Sequence, residues 1–261
     1  MTNEISWLET PVSKLLLPDL RGRTAVVTGS SKGIGQATAS LLLENGVSVF
    51  GLSHCASDFT HPSFAQIICD LSDTNAIKEG FDKITHRTKH LDYVVNIAGI
   101  DPIYSVGEVT PSQWDEITDL NLRAYYFVIK AALPLLRVGQ GRSIVNLSSI
   151  NYRLGVPGRA AYSATKAGIL GLTTGLSREL GREMIRINTV SPGWIFTERQ
   201  KAEYFQGDES LKNLTYLSQR QSLALKITPI DVANHILFYL SEVSRATTGH
   251  NHVVDGGWLL E

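Results

Sequence analysis

Short runs of β-branched and apolar residues alternate along the chain with longer segments of helical periodicity. The short runs predict strands at residues 24–28, 47–52, 65–69, 91–96, 143–147, 185–190 and 252–254. Apolar residues recurring every three or four positions predict helices at residues 34–44, 75–87, 111–136, 160–179 and 229–241. Strands that alternate with helices form parallel sheets, so the pattern predicts an α/β fold with one doubly wound parallel sheet of about seven strands and helices on both faces.

Four segments depart from this regular alternation. We expect the helix at 111–136 to break near Asn121, and the connection at 53–64, which contains Pro62, to be a loop in place of a crossover helix. Residues 197–223 mix polar and aromatic positions at helical spacing and predict a mobile lid. Residues 1–20 precede the pattern and predict an extension lying across the domain or a neighbouring subunit, while residues 21–261 predict a single domain.

Charge and composition exclude several classes of partner. The chain has 24 Lys and Arg against 25 Asp and Glu, so it lacks the positive field that a nucleic-acid partner requires. Cys55 and Cys69 are too few for a disulfide framework and lack metal-ligand spacing, so no metal site is expected. The first twenty residues lack the apolar core of a signal peptide, and no apolar stretch reaches the ~18–20 residues of a membrane helix. We therefore expect a cytoplasmic protein with no nucleic-acid partner and no membrane partner.

A glycine-rich turn joins the first predicted strand to the first predicted helix. It reads Thr-Gly-Ser-Ser-Lys-Gly-Ile-Gly over residues 28–35. Glycine allows backbone amides to approach a pyrophosphate closely, and the helix N-terminus that follows carries partial positive charge. A turn in this position of the first βαβ unit predicts a Rossmann-type dinucleotide site.

This turn and several later motifs resemble the short-chain dehydrogenase/reductase family from about residue 21 to the C-terminus. The family's Asn-Asn-Ala-Gly turn is matched at residues 96–99 with Ile97 replacing the second Asn, and its nicotinamide-covering segment at residues 192–197. The resemblance also implies that Asp70, directly after the third strand, contacts the adenine. Together the turn and the resemblance predict these cofactor-binding residues: Gly29, Ser31, Lys32, Gly33, Ile34, Gly35, Ser53, His54, Asp70, Leu71, Asn96, Ala98, Gly99, Tyr162, Lys166, Pro192, Gly193, Ile195 and Thr197.

Four residues match the family's catalytic set: Asn121, Ser149, Tyr162 and Lys166. Tyr162 and Lys166 are four positions apart on a predicted helix and therefore share one face. A nearby ammonium favours the phenolate, so we expect Lys166 to lower the pKa of Tyr162 below its usual value of about 10. Tyr162 would then serve as the general acid/base.

Ser149 ends a predicted strand and can bring its hydroxyl to the same substrate oxygen as Tyr162. Ser148 should point to the opposite face of the strand. We expect Asn121 to hold a water against Lys166. The alternative interpretation is that the Asn121 side chain bonds to the backbone at a helix kink, which is compatible with the same role.

These residues predict proton transfer and substrate positioning, while a nicotinamide carries the hydride. The predicted reaction interconverts a secondary alcohol, or a sugar hemiacetal, with its carbonyl. Alternatives are a 3-oxoacyl reductase-like activity, a nucleotide-binding regulator without turnover, and a sugar-nucleotide epimerase or dehydratase, whose glycine spacing is shorter and whose chains are longer. The complete four-residue set argues against the regulator.

The predicted substrate pocket combines aromatic and polar side chains. Its residues are Asp101, Ile150, Asn151, Tyr152, Trp194 and Phe196, with Tyr104 and Trp258 as further candidates. Such walls suit a small polar substrate such as a sugar, polyol or hydroxy ketone, although aromatic residues here can equally be core.

Cofactor choice depends on the end of the second strand, where a carboxylate would repel a 2′-phosphate. Ser53 occupies that position, with Lys32 and His54 nearby, so NADP(H) is mildly favoured over NAD(H). The helices at 111–136 and 160–179 carry apolar residues on faces that a monomer would expose, and with the family resemblance they predict a homotetramer.

Overall fold

The computed structural model describes residues 12–260. Its strands are β1 (Thr24–Thr28), β2 (Ser48–Ser53), β3 (Phe64–Ile68), β4 (Tyr93–Asn96), β5 (Ser143–Leu147), β6 (Arg186–Pro192) and β7 (Asn251–Val254). They form one sheet in the order β3-β2-β1-β4-β5-β6-β7. Every neighbouring pair in this sheet is parallel, which confirms the predicted doubly wound architecture.

The helices are α1 (Gly33–Glu44), α2 (Thr74–Thr85), α3 (Pro111–Thr118), α4 (Ala124–Leu136), α5 (Asn151–Leu154), α6 (Ala160–Gly181), α7 (Glu198–Tyr204), α8 (Gly207–Ser218) and α9 (Pro229–Leu240). A π-helical turn at Asp119–Arg123 separates α3 from α4. The expected break near Asn121 is confirmed. Residues 54–63 contain no helix, as their length predicts.

Two apolar clusters cover the two faces of the sheet because alternate strand residues point to opposite sides. On β1, Val27 packs in the cluster beneath α1 and α9, whereas its neighbour Val26 packs in the cluster beneath α2 and α4. On β4, Val95 and Val94 divide in the same way. Burial on both faces explains why the strands read as continuous apolar runs.

The described part of the extension, residues 12–20, lies across α1 and α9 of its own domain. Asn45 accepts a hydrogen bond from Leu17 N at 2.7 Å and donates one to Leu15 O at 3.0 Å. Asn234 accepts from Leu15 N at 2.9 Å and donates to Ser13 O at 2.8 Å. The two asparagines therefore fix this segment through backbone groups. Residues 1–11 lie outside the described residues.

Within residues 12–260, no helix combines the length and apolar composition needed to span a bilayer.

Candidate active site

The candidate site lies at the carboxyl ends of β1 and β4, where the strand order reverses direction. Two turns meet there. Thr28 Oγ1 accepts hydrogen bonds from Ile97 N at 2.9 Å and Ala98 N at 3.2 Å. A Cβ added to Gly29 would lie 3.0 Å from the Ala98 backbone. The glycine turn and the turn after β4 thus pack backbone to backbone, and crevices at such switch points bind ligands in open α/β sheets.

The glycine turn has a backbone geometry that requires glycine at several positions. Gly29 and Gly33 have left-handed φ values of +67° and +58°. A Cβ on Gly35 would lie 2.0 Å from Gly29 O, so only glycine fits where α1 starts. Lys32 precedes α1 without a side-chain cap, and the first turn of α1 has no acidic residue. The amides of the first turn of α1 are therefore not capped by a side chain and suit a pyrophosphate.

The segment at 192–197 faces the glycine turn from the end of β6. Gly193 N donates to Val254 O at 2.9 Å, and a Cβ on Gly193 would lie 2.8 Å from the Asp255 side chain. A Cβ on Gly33 would lie 3.5 Å from Thr197 Cγ2. Such close approach defines a cradle between the turn and the segment, and its residues fit a bound dinucleotide.

Other predicted cofactor residues fall into exposed and buried groups. Asp70 is exposed, and hydrogen bonds from Ser72 N and Ser72 Oγ, at 2.9 and 2.7 Å, hold its pKa below the usual range. His54 is also exposed. The side chain of Leu71 packs in the apolar core, so only its backbone could face a ligand.

The side chain of Asn96 bonds within the sheet through Nδ2, and its expected contact with the cofactor stays a prediction. It is fully buried, and Asn96 Nδ2 donates to Asn146 Oδ1 on β5 at 2.9 Å. Asn146 Nδ2 donates in turn to Thr173 Oγ1 on α6 at 3.0 Å. Asn96 therefore ties β4 to β5 and α6. The neighbouring Ala98 and Gly99 remain at the crevice.

The hydroxyl of Ser53 is also engaged within the protein. Ser53 Oγ donates to Cys55 O at 2.8 Å and accepts from Gln66 Nε2 at 2.9 Å. Gln66 Oε1 accepts from Ser57 N at 2.9 Å. Ser53 thus anchors the loop after β2, and its contribution to cofactor choice is its small, uncharged side chain.

Tyr162, Lys166 and Ser149 converge at the crevice from α6 and the end of β5. Lys166 Nζ lies 5.5 Å from the centre of the Tyr162 ring and donates to Leu147 O at 3.0 Å. The Ser149 and Tyr162 hydroxyls share a hydrogen bond. Ser148 points away, as expected, because its hydroxyl donates to Lys166 O at 2.8 Å.

Burial dominates the pKa values of Tyr162 and Lys166, and this corrects the expected direction of the pKa shift of Tyr162. Burial raises the pKa of Tyr162 to about 12, with a further rise from Asp101 and an opposing effect of the Ser149 hydrogen bond. Burial also lowers the pKa of Lys166 to about 8. The desolvation of both groups outweighs the attraction that the sequence spacing suggests.

Asn121 lies in the π-helical turn, and its side chain bonds to backbone. Oδ1 accepts from Ile100 N and Nδ2 donates to Ile100 O, both at 2.8 Å. A Cβ on Gly99 would lie 2.9 Å from Asn121 Oδ1 and 3.7 Å from Lys166 Nζ. Asn121 therefore shapes the turn after β4 beside Lys166, and its Nδ2 also donates to Thr165 Oγ1 at 3.4 Å. The expected water between Asn121 and Lys166 stays a prediction.

The predicted pocket residues divide into wall and core. Asn151, Tyr152 and Trp194 are partly exposed, and Trp194 Nε1 donates to Gln200 Oε1 at 2.6 Å. Ile150 and Phe196 are buried, and Phe196 stacks on Phe205 with ring centres 4.4 Å apart. These two residues form core packing, the alternative that sequence reasoning left open.

The further candidate Trp258 packs against Tyr216 of α8 with ring centres 5.8 Å apart. It lies beside a cavity of about 460 Å³ between α9, β7 and the tail, lined by Leu223, Ile227 and Val254 among others. None of the predicted site residues lines this cavity.

Two arginines that sequence reasoning missed join Asp101 at the site. Arg159 Nη1 lies 2.8 Å from Asp101 Oδ2, and Arg199 Nη2 lies 2.7 Å from Asp101 Oδ1. The Arg159 guanidinium carbon lies 5.9 Å from the centre of the Tyr162 ring. Arg159 precedes Tyr162 by three positions at the start of α6, a spacing that puts both on one helix face and could have identified it.

A doubly wound sheet with a glycine turn at its switch point and a Ser, Tyr and Lys group beside it defines the class of nicotinamide-dependent oxidoreductases. A family model described as Enoyl-(Acyl carrier protein) reductase matches residues 29–259. The chain belongs to the short-chain dehydrogenase/reductase family. It is an NAD(P)-dependent enzyme acting on CH–OH groups.

Two curated relatives and one solved structure illustrate the similarity. "Probable galactose dehydrogenase GalD" of Rhizobium meliloti (strain 1021) is 34% identical over 252 residues, covering 92% of this chain and 96% of that protein. "D-xylose 1-dehydrogenase" of Caulobacter vibrioides is 32% identical over 257 residues, covering 95% and 100%. Ligand-free aldohexose dehydrogenase (AldT) of Thermoplasma acidophilum superposes with a TM-score of 0.86 at 28% identity, covering 92% and 95%.

Proposed function

We propose that this enzyme is a sugar dehydrogenase that oxidises the hemiacetal hydroxyl of an aldose, with Tyr162 as general acid/base. The observation that carries the proposal is the meeting of Ser149, Tyr162 and Lys166 at the crevice beside the glycine turn. The names of the galactose, xylose and aldohexose dehydrogenases support the substrate class.

Each side chain has a role that follows from its position. Ser149, hydrogen-bonded to Tyr162, donates to the substrate oxygen and orients it between the two hydroxyls. Tyr162 accepts the proton of the substrate hydroxyl as the phenolate and returns it as the phenol in the reverse direction. Lys166 places a positive charge beneath the phenol ring and stabilises the phenolate. A bound nicotinamide supplies the hydride acceptor.

The glycine turn and the segment at 192–197 would hold the dinucleotide between them. The amides of the first turn of α1 would bind the pyrophosphate, and Gly33 and Thr197 approach each other closely enough to enclose it. The absence of a carboxylate at Ser53 leaves NADP(H) mildly favoured over NAD(H).

A polar wall favours a sugar over a long acyl chain. Asn151 and Tyr152 are partly exposed after Ser149, and the Asp101–Arg159 pair lies beside Tyr162. These groups offer hydrogen-bond donors and acceptors. The second candidate is a 3-oxoacyl reductase-like activity, which the acyl-carrier description of the matching family model favours. An acyl substrate needs an apolar channel, so the charged pair beside Tyr162 argues for the sugar.

A substrate panel separates these candidates from each other and from a regulator without turnover. Absorbance at 340 nm is followed with each cofactor and with aldoses, polyols and a 3-oxoacyl thioester. We expect oxidation of D-galactose or D-xylose. Reduction of the thioester alone would favour the alternative, and no turnover with any substrate would favour the regulator.

Tyr162→Phe tests the assigned acid/base. The phenyl ring keeps the packing but cannot carry the proton, so we expect a loss of turnover of at least about 100-fold with cofactor affinity within a few-fold of wild type. Ser148→Ala is the matched control, because its hydroxyl bonds to Lys166 O and points away from the crevice. Near wild-type rates in a folded Tyr162→Phe protein would remove Tyr162 from the mechanism.

We further propose a cytoplasmic homotetramer. Trp114 of α3, Tyr126 of α4 and Phe238 of α9 leave 43%, 44% and 38% of their surface exposed. Large aromatic side chains on outer helix faces are typical of surfaces that subunits cover.

A further inference from the structure

Three charged residues that the proposed mechanism does not use form a chain beside Tyr162. Asp101 follows β4, Arg159 precedes α6, and Arg199 lies in the first turn of α7. The Asp101 carboxylate is held between both guanidinium groups, at 2.8 Å from Arg159 and 2.7 Å from Arg199. Arg159 also donates to Asp101 O at 2.5 Å.

The two arginines at either end of this ion-pair chain differ in solvent exposure. The Arg159 and Asp101 side chains are 12% and 21% exposed, whereas Arg199 is 53% exposed. Charges that are partly removed from water act over longer distances because solvent screens them less. The Asp101–Arg159 pair can therefore influence the phenol whose ring lies 5.9 Å from Arg159.

Several charged or titratable groups face Tyr162 from the elements packed around it: Asp101 after β4, Tyr125 of α4, Arg159 just before α6, Lys166 of α6, and Arg199 of α7. Their effects oppose one another. Asp101 raises the pKa of Tyr162, and Arg159 and Arg199 lower it. The proton affinity of the phenol thus depends on how completely the two guanidinium groups neutralise Asp101.

Helix α7 brings Arg199 into this arrangement. Arg199 contacts Asp101 across 98 positions of sequence, and its other ion pair is to Glu203 on the same helix at 3.5 Å. The end of α7 is anchored by Tyr204, which packs on Trp194 with ring centres 5.6 Å apart. Movement of α7 away from the site would therefore take a positive charge from Asp101.

We propose that Asp101, Arg159 and Arg199 are positioning residues that couple the docking of α7 over the site to the acid–base chemistry of Tyr162. The inference rests on the proposed function, because it acts through Tyr162. Docked α7 supplies the second guanidinium, and the neutralised carboxylate then favours the phenolate that alcohol oxidation requires. An undocked α7 leaves Asp101 more negative and the phenol protonated.

The test measures the pH midpoint of kcat/KM for oxidation of D-galactose or D-xylose at saturating oxidised cofactor. Asp101→Asn removes the negative charge, so the midpoint should fall by about one pH unit. Arg159→Gln and Arg199→Gln each remove a positive charge, so the midpoint should rise by a similar amount. Arg159→Lys keeps the charge and should restore the wild-type midpoint.

Hydrogen exchange of residues 198–204 reports the docking of α7 without reference to activity. Asp101→Asn and Arg199→Gln each break the tie to α7, so exchange there should accelerate several-fold. Arg159→Gln leaves the Asp101–Arg199 contact in place and should leave this exchange unchanged. Lys201→Gln is the matched control, since it removes only an exposed ion pair to Glu198 on the same helix and should move neither readout.

Opposite midpoint shifts in Asp101→Asn and Arg159→Gln support the proposal. Shifts in the same direction, or no shift in folded variants, overturn it. Unchanged exchange in Arg199→Gln overturns the coupling to α7. If wild type turns over and Tyr162→Phe does not, the proposed function stands whichever of these results appears, so the two proposals fail separately.

Discussion

Replacing Ser53 by aspartate tests cofactor choice at the end of β2. Ser53 is 3% exposed, and its hydroxyl donates to Cys55 O at 2.8 Å while accepting from Gln66 at 2.9 Å. An aspartate can still accept from Gln66 but cannot donate to the Cys55 carbonyl. The carboxylate should therefore turn away from that carbonyl and towards the crevice.

Two magnitudes follow from this geometry. Loss of one donated hydrogen bond and partial burial of a charge should lower the free energy of unfolding by about 1–3 kcal/mol. Two like charges about 4 Å apart repel by about 1 kcal/mol in water and about 4 kcal/mol at an effective dielectric constant of 20. Since about 1.4 kcal/mol is tenfold, the preference for NADP(H) over NAD(H) should fall by between about fivefold and several hundredfold.

The assay compares kcat/KM for both cofactors on wild type, Ser53→Asp and Ser53→Asn at fixed ionic strength. Wild type should favour NADP(H) and Ser53→Asp should favour NAD(H), with a smaller effect at high salt. Ser53→Asn is neutral and similar in size, so its cofactor ratio should stay within about threefold of wild type.

Equal changes in the aspartate and asparagine variants would refute the electrostatic reasoning. A wild type that prefers NAD(H) would show that our interpretation of β2 is wrong. The exposed Asp58, or a backbone group of the loop after β2, would then be the candidate for holding the ribose.

Three further predictions concern the turn, the lysine and the assembly. Gly35→Ala should abolish cofactor binding, measured by fluorescence titration, because its Cβ would lie 2.0 Å from Gly29 O. Gly171→Ala is the control, because its Cβ would meet nothing within 4 Å; this variant should bind cofactor normally and be about 0.4–1 kcal/mol more stable. Lys166→Met should abolish turnover yet resist urea better than wild type at pH 7, because the folded wild type buries the Lys166 ammonium and burial lowers its pKa to about 8. The difference in the free energy of unfolding between the two proteins should shrink as pH rises from 8 towards 10.5, because the folded wild type loses the ammonium charge over that range. Light scattering at micromolar concentration should give about four times 28.6 kDa, and a mass near 28.6 kDa would contradict the tetramer.

The elements of the fold could be predicted because their signals are local. Strand and helix periodicities fall within single segments, and every predicted strand lies within two residues of its observed bounds. The glycine turn is equally local, since the close approach of Gly35 to Gly29 involves residues six positions apart. The spacing of Tyr162 and Lys166 on one helix could be identified for the same reason.

The direction in which a polar side chain points could not be predicted, because it depends on neighbours distant in sequence. Asn96 and Ser53 both end strands at the crevice, yet each bonds to a partner on an adjacent strand. The chain formed by Asp101, Arg159 and Arg199 joins residues 58 and 98 positions apart. No periodicity relates such positions.

The sequence by itself determined the doubly wound sheet, the turn that suits a dinucleotide and the placement of Tyr162 and Lys166 on one helix face, since each depends on a repeating or short-range pattern. Ser149 and Asn121 were assigned through the family resemblance. Only the tertiary structure decided how strongly Tyr162 and Lys166 hold their protons. The pKa of Tyr162 rises to about 12 even though Lys166 lies beneath its ring, because burial is a property of the whole packed chain. Desolvation and the balance of Asp101 against two arginines arise only when distant segments meet.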